Sequence, residues 1–121
     1  MPTMRALIVD DSKMMRVILD KALHDIGYEV AEAADGHEAL AQLNQGEPVD
    51  LMLVDWNMPV MSGYDLLRAV RAETRFNPVH ILMLTVEGSM LEIEQALAAG
   101  ADDYMTKPFR PEELREKLVL R

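Results

Sequence analysis

The sequence predicts an α/β domain: a doubly wound, five-stranded parallel sheet with five helices. Three observations carry this expectation. Short apolar runs alternate strictly with longer amphipathic stretches along the chain. Two of the runs, Ala6–Val9 and Leu51–Val54, are apolar throughout, as expected of strands covered on both faces. The longer stretches repeat their apolar residues at helical spacing, between recognisable start and stop signals.

The elements follow in order. Ala6–Val9 is the first predicted strand. The first helix carries Met15, Ile18, Leu19, Ala22 and Ile26 on one face, with Ser12 placed to cap its start and Gly27 to end it. Tyr28–Ala33 is the second strand. The second helix begins near Asp35-Gly36, buries Ala39, Leu40 and Leu43, and stops by Gly46. Leu51–Val54 forms the third strand, and the helix after it begins at Ser62-Gly63 and buries Leu66, Leu67 and Val70. Val79–Leu84 is the fourth strand, followed by a helix that carries Met90, Ile93 and Leu97 and ends at Gly100. Asp103–Met105 is the fifth. The last helix opens with Pro111, a favoured first-turn residue, places Glu112 and Glu113 on the positive end of its dipole, and buries Leu114 and Leu118. No repeat, low-complexity segment or linker interrupts this, so residues 1–121 read as one domain. The final helix runs to Leu120-Arg121, which suits a natural end or a longer protein equally.

Composition narrows the classes of function. With 121 residues, half of them hydrophobic, the chain can bury a core without disulfides, and it has no cysteine to form one. No run approaches the roughly 18 apolar residues of a membrane span. The start, Met1-Pro2-Thr3-Met4-Arg5, leads straight into a strand and lacks a signal-peptide pattern, so a cytoplasmic location is expected. A formal net charge of -9 argues against direct binding to nucleic acid. Much of that charge belongs to solvated helix faces, such as Glu92, Glu94, Glu112 and Glu113.

The acids at the strand ends are different. Asp10 and Asp11 follow the first predicted strand, and Asp55 follows the third, with Asn57 two residues on. Thr85 follows the fourth strand, and Lys107-Pro108 follow the fifth. The second strand ends in Ala33-Ala34 and offers nothing reactive. Right-handed crossovers gather such groups at the carboxyl edge of the sheet. Converging carboxylates there need a divalent cation, a cationic side chain, or both. Two or three carboxylates, a backbone carbonyl and waters make an octahedral oxygen site for Mg²⁺, and Lys107 adds a second counter-charge. A carboxylate held ionised at that point is a candidate nucleophile towards phosphorus, giving an acyl phosphate. The new oxygens then need donors, and the Lys107 ammonium and Thr85 hydroxyl are placed to serve.

Taken singly, each residue has a plainer explanation. Asp10 and Asp11 could be helix caps, Thr85 a strand residue, Lys107 a surface lysine and Asn57 a turn residue. Joint placement at one sheet edge favours the reactive site. No G-x-x-x-x-G-K-[ST] phosphate loop and no G-x-G-x-x-G fingerprint is present. His24, His37 and His80 are scattered without metal-ligand spacing, and the ten methionines need no cofactor.

The segments Leu7–Ser12, Asp55–Gly63, Leu84-Thr85 and Gly100–Phe109 together closely resemble the receiver domain of two-component response regulators, especially the CheY-like single-domain type. The resemblance runs through essentially the whole chain. It implies a flavodoxin-like sheet of order 2-1-3-4-5. It implies that Asp55 is the phosphoacceptor, and that Asp10, Asp11, Asp55 and the Asn57 backbone carbonyl hold Mg²⁺. Thr85 and Lys107 would bind the phosphoryl group, Tyr104 would be the switch aromatic, and the Lys107–Pro108 bond would be cis. Implied partners are a histidine kinase or phosphotransfer protein, and a downstream protein reached through the surface of helix four, strand five and helix five. A monomer or weak dimer on activation is expected, and the composition argues for no membrane and no direct nucleic-acid contact. Such a protein is a phosphoacceptor switch with only intrinsic phosphotransfer and autodephosphorylation, not a turnover enzyme.

Val86 departs from the Ala, Gly or Ser common after the threonine, and its β-branched side chain is expected to slow hydrolysis. Glu87 is a candidate for tuning water approach or partner contact. A rival is a haloacid-dehalogenase-type phosphatase, which resembles Asp-x-Asp at its nucleophile. Asn57 stands at the second position here and cannot transfer protons. A receiver-like module that is never phosphorylated would usually have lost an acid or the lysine, and none is lost. The kinase, the signal and the target are not readable from the sequence.

Overall fold

The computed structural model describes residues 3–46, 48–86 and 90–119. Five parallel strands, β1 (Arg5–Val9), β2 (Glu29–Ala33), β3 (Leu51–Asp55), β4 (His80–Val86) and β5 (Asp103–Lys107), form one sheet in the order β2-β1-β3-β4-β5. Five helices connect and follow them: α1 (Lys13–Asp25), α2 (Gly36–Asn44), α3 (Gly63–Arg71), α4 (Met90–Ala99) and α5 (Pro111–Val119). This is the expected doubly wound architecture.

The strand alternation divides the interior into two cores. Ala6, Ile8, Leu51, Leu53, Leu82 and Leu84 point to the face covered by α1 and α5, where they meet Leu19, Leu23, Leu114 and Leu118. Leu7, Val9, Met52, Val54, Ile81 and Met83 point to the other face, where α2, α3 and α4 supply Ala39, Leu43, Leu66, Leu67, Val70 and Ala96. Every residue of β3 is buried, which explains why that run carries no polar alternation before Asp55.

The helix starts match their local chemistry. Ser12 accepts from the Met15 amide at 3.2 Å, Asp35 from Glu38 at 2.8 Å and Ser62 from Asp65 at 3.1 Å, each satisfying a first-turn N–H. Gly100 ends α4 at φ +113°, a conformation that side chains disfavour.

Several boundaries and faces differ from expectation. β4 continues through Thr85 and Val86, and β5 through Lys107, because the two strands keep pairing: Thr85 lies opposite Thr106, and Val86 opposite Lys107. Ile18, Met90 and Leu97 are substantially exposed. α1 centres its buried stripe on Leu19, Ala22 and Leu23, whereas α4 buries Ile93 and Ala96. A short 3₁₀ turn, Thr74–Phe76, also precedes β4 and tucks Phe76 into the core.

Candidate functional site

Strand register brings the sequence-predicted site residues to one level. Val9 pairs with Val54, so Asp10 leaves β1 beside Asp55, the last residue of β3. Leu84 pairs with both Asp55 and Met105, so Thr85 lies one residue beyond Asp55, and Lys107 two residues beyond Met105. The side chains therefore sit on strand ends or directly after them. The loop behind Asp55 folds back tightly: a Cβ at Gly63 would lie 2.2 Å from the Asp55 carbonyl oxygen, so only glycine fits.

Asp10 and Asp55 are almost fully buried, while Asp11 is exposed at the rim. One carboxylate oxygen from each lies within 4.8 Å of the others. Lys107 Nζ donates to Asp55 Oδ1 at 2.8 Å and stands 3.7 Å from Asp10 Oδ2. Asp10 Oδ1 accepts from the Ser12 amide at 2.8 Å, whereas buried Asp10 Oδ2 has no hydrogen-bond partner. Burial pushes the Asp55 carboxyl above its ordinary range. The Lys107 hydrogen bond opposes this, Asp10 adds to it by repulsion, and the Lys107 charge and a backbone hydrogen bond from Asn57 oppose it further.

One ammonium thus faces three acids, two of them buried. An all-oxygen cluster with an orphaned carboxylate oxygen is chemically suited to a small hard cation, and Mg²⁺ fits that donor set. Asn57 is exposed in the loop after β3. Thr85 is buried, and its hydroxyl donates to Glu92 Oε1 in the first turn of α4 at 3.2 Å. Val86 is 49% exposed at the end of β4. Glu87 lies outside the described residues. Tyr104 is half-buried against the α2/α3/α4 core, with Lys117 Nζ 5.3 Å from its ring centre. The Lys107–Pro108 bond is cis, as expected.

Two neighbours escaped the sequence reading. Arg16 donates from Nη1 to the Asp10 carbonyl at 2.7 Å while its Nε meets Glu32 at 3.0 Å, which ties the main chain at the acid to α1 and β2. Glu92 read as a solvated helix acid, and its contact with Thr85 has no signature in local spacing. Trp56, beside Asp55, is buried and stacks on Tyr64 with ring centres 5.3 Å apart.

Comparison with known proteins establishes the family of the chain. Residues 6–119 match the family model described as response regulator receiver domain. Chemotaxis protein CheY1 of Helicobacter pylori is 46% identical over 116 residues, covering 95% of this chain and 94% of that protein. Chemotaxis protein CheY of Pseudomonas aeruginosa is also 46% identical over 116 residues, covering 95% and 93%. Among solved structures, chemotaxis protein CheY4 of Vibrio cholerae superposes with a TM-score of 0.91 at 40% identity, covering 98% of each chain. On the strength of the family match, these identities and the shared fold, the chain belongs to the response regulator receiver domain family.

Proposed function

We propose that Asp55 accepts a phosphoryl group from a phosphohistidine of a partner kinase or phosphotransfer protein, and that this event changes a surface built from α4, β5 and α5. The observation that carries the reading is the 2.8 Å contact between Lys107 and Asp55, set beside a buried Asp10 oxygen that has no hydrogen-bond partner. Lys107 fixes one Asp55 oxygen, and the other is left to attack phosphorus in line. The donor's N–P bond breaks as the O–P bond forms, and the imidazole leaves. Asp10, Asp11, Asp55 and the Asn57 carbonyl would hold Mg²⁺, which supplies positive charge against the acids and the phosphoryl oxygens. Lys107 and Thr85 then donate to those oxygens, and Tyr104 follows Thr85. A shift in the populations of the α4-β5-α5 face reports the change to a downstream protein.

Asn57, lacking a transferable proton, supports a timed switch over a phosphatase with rapid turnover. Similarity to chemotaxis proteins favours chemotactic signalling as the setting, with cytoplasmic action as a monomer or weak dimer. Among the described residues no helix is long and apolar enough to cross a membrane.

Exposure to a phosphorylated kinase, or to acetyl phosphate with Mg²⁺, should yield a hydroxylamine-sensitive acyl phosphate at Asp55. Trp56 fluorescence should respond to Mg²⁺ and to beryllofluoride, since the indole adjoins the acid. Sustained turnover of a small phosphate ester would sink the switch reading in favour of a phosphatase.

A further inference from the structure

We propose that Glu92 is a latch on Thr85: in the resting protein its carboxylate holds the Thr85 hydroxyl, and the phosphoryl group must win that hydroxyl away. This rests on the reading of Thr85 as a phosphoryl ligand and adds the residue that opposes it. Thr85 is 2% exposed, and its hydroxyl has one proton to give. That proton is directed to Glu92 Oε1 at 3.2 Å. A hydroxyl cannot donate fully to two acceptors, so the Glu92 carboxylate and a phosphoryl oxygen compete for it. The charged acceptor strengthens the resting hold. The dipole of α4 explains why an acid is favoured in its first turn, but it would be served equally by a carboxylate in solvent. Here the carboxylate meets a buried hydroxyl instead.

The same bond links the site to α4. That helix buries Ile93 and Ala96, while Met90, Leu91 and Leu97 are exposed. The Thr85–Glu92 contact therefore tethers the helix's first turn to the end of β4. When the hydroxyl turns to phosphate, the tether opens and the Met90–Leu91 surface is released with it. Glu92 is a positioning residue: it acts through Thr85 and touches no reacting atom.

The test is beryllofluoride binding with Mg²⁺, followed by Trp56 fluorescence in the full chain. Glu92→Ala should tighten binding roughly three- to tenfold, the scale of one partly exposed hydrogen bond. Glu92→Gln keeps an acceptor oxygen and removes the charge, so it should stay closer to the parent than to the alanine variant. In a Thr85→Ala background, Glu92→Ala should change nothing. Unchanged affinity for Glu92→Ala in the parent overturns the latch. So does an equal gain with and without Thr85, or a glutamine variant that behaves like alanine, because both mark charge repulsion alone. Thr85→Ala measured in the Glu92→Ala background, where no latch remains, separates the two levels. If it weakens binding there while Glu92→Ala by itself is silent, the latch fails and the switch reading stands. If it changes nothing there, Thr85 is no phosphoryl ligand and both fall.

Discussion

At the amino ends of β4 and β5, Arg71 donates to the carbonyls of Gly100, Phe76 and Val79 at 2.9, 3.0 and 2.7 Å and to Asp102 at 2.8 Å. Asp102 accepts in turn from the Ile81 amide at 2.9 Å. At the carboxyl ends of the same sheet, Asp10 and Asp55 share the Lys107 ammonium with Asp11 clustered beside them, and one buried oxygen has no hydrogen-bond partner. One end uses a guanidinium to satisfy backbone groups and a counter-charge together. The other keeps an excess of buried negative charge. The contrast shows where the molecule invests in stability and where it gives stability up to keep a site receptive.

Substitution should divide along the same line. The largest effect is on chemistry: Asp55→Asn should abolish phosphorylation by kinase or acetyl phosphate, with circular dichroism unchanged. Any residual acyl phosphate in that variant would move the acceptor elsewhere. At the opposite end, Arg71→Ala should lower unfolding free energy by about 3 kcal/mol in urea melts, because several backbone carbonyls and Asp102 lose a common donor. Phosphorylation of the folded fraction should survive. A loss below about 1 kcal/mol would show that water replaces the guanidinium easily.

The third prediction concerns pH. Burial raises the Asp55 pKa in the folded chain above its ordinary 3.8. As pH rises the unfolded chain gives up this proton first, so stability declines from near 3.8 upward through the folded value. Asp55→Asn should therefore stabilise the metal-free protein at neutral pH. Parent and variant should converge in acid, and added Mg²⁺ should stabilise the parent more. Thermal melts in chelator across the pH range check the sign; a variant less stable than the parent at neutral pH contradicts it. The smallest effect belongs to Val86→Ala, which should speed dephosphorylation roughly threefold, equivalent to under about 1 kcal/mol of barrier. An unchanged or slower rate would remove Val86 from the account of hydrolysis.

Much of this was legible in the chain because its signals are local. The unbroken apolar runs at β1 and β3 follow from burial on both faces, and the strand-end acids stand out because carboxylates rarely follow such runs without a purpose. The extension of β4 to Val86 and of β5 to Lys107 was not legible, since it depends on two strands distant in sequence pairing with each other. Nor was the exposure of Ile18, Met90 and Leu97. Periodicity identifies a face, but the width of that face depends on what packs against it. Glu92 and Arg16 escaped for the same reason, because their partners are set by tertiary approach.

The strand-borne placement of Asp55, Thr85 and Lys107 has a practical consequence. Their spacing is set by the hydrogen-bond ladder, so helix surfaces can be rewritten while the reactive end keeps its dimensions. If the α4-β5-α5 face carries the output as proposed, a designer could recode the exposed positions of α4, Met90 and Leu91 among them, to seek a new recipient. The input chemistry would remain interchangeable between such variants, as a common plug serves many appliances.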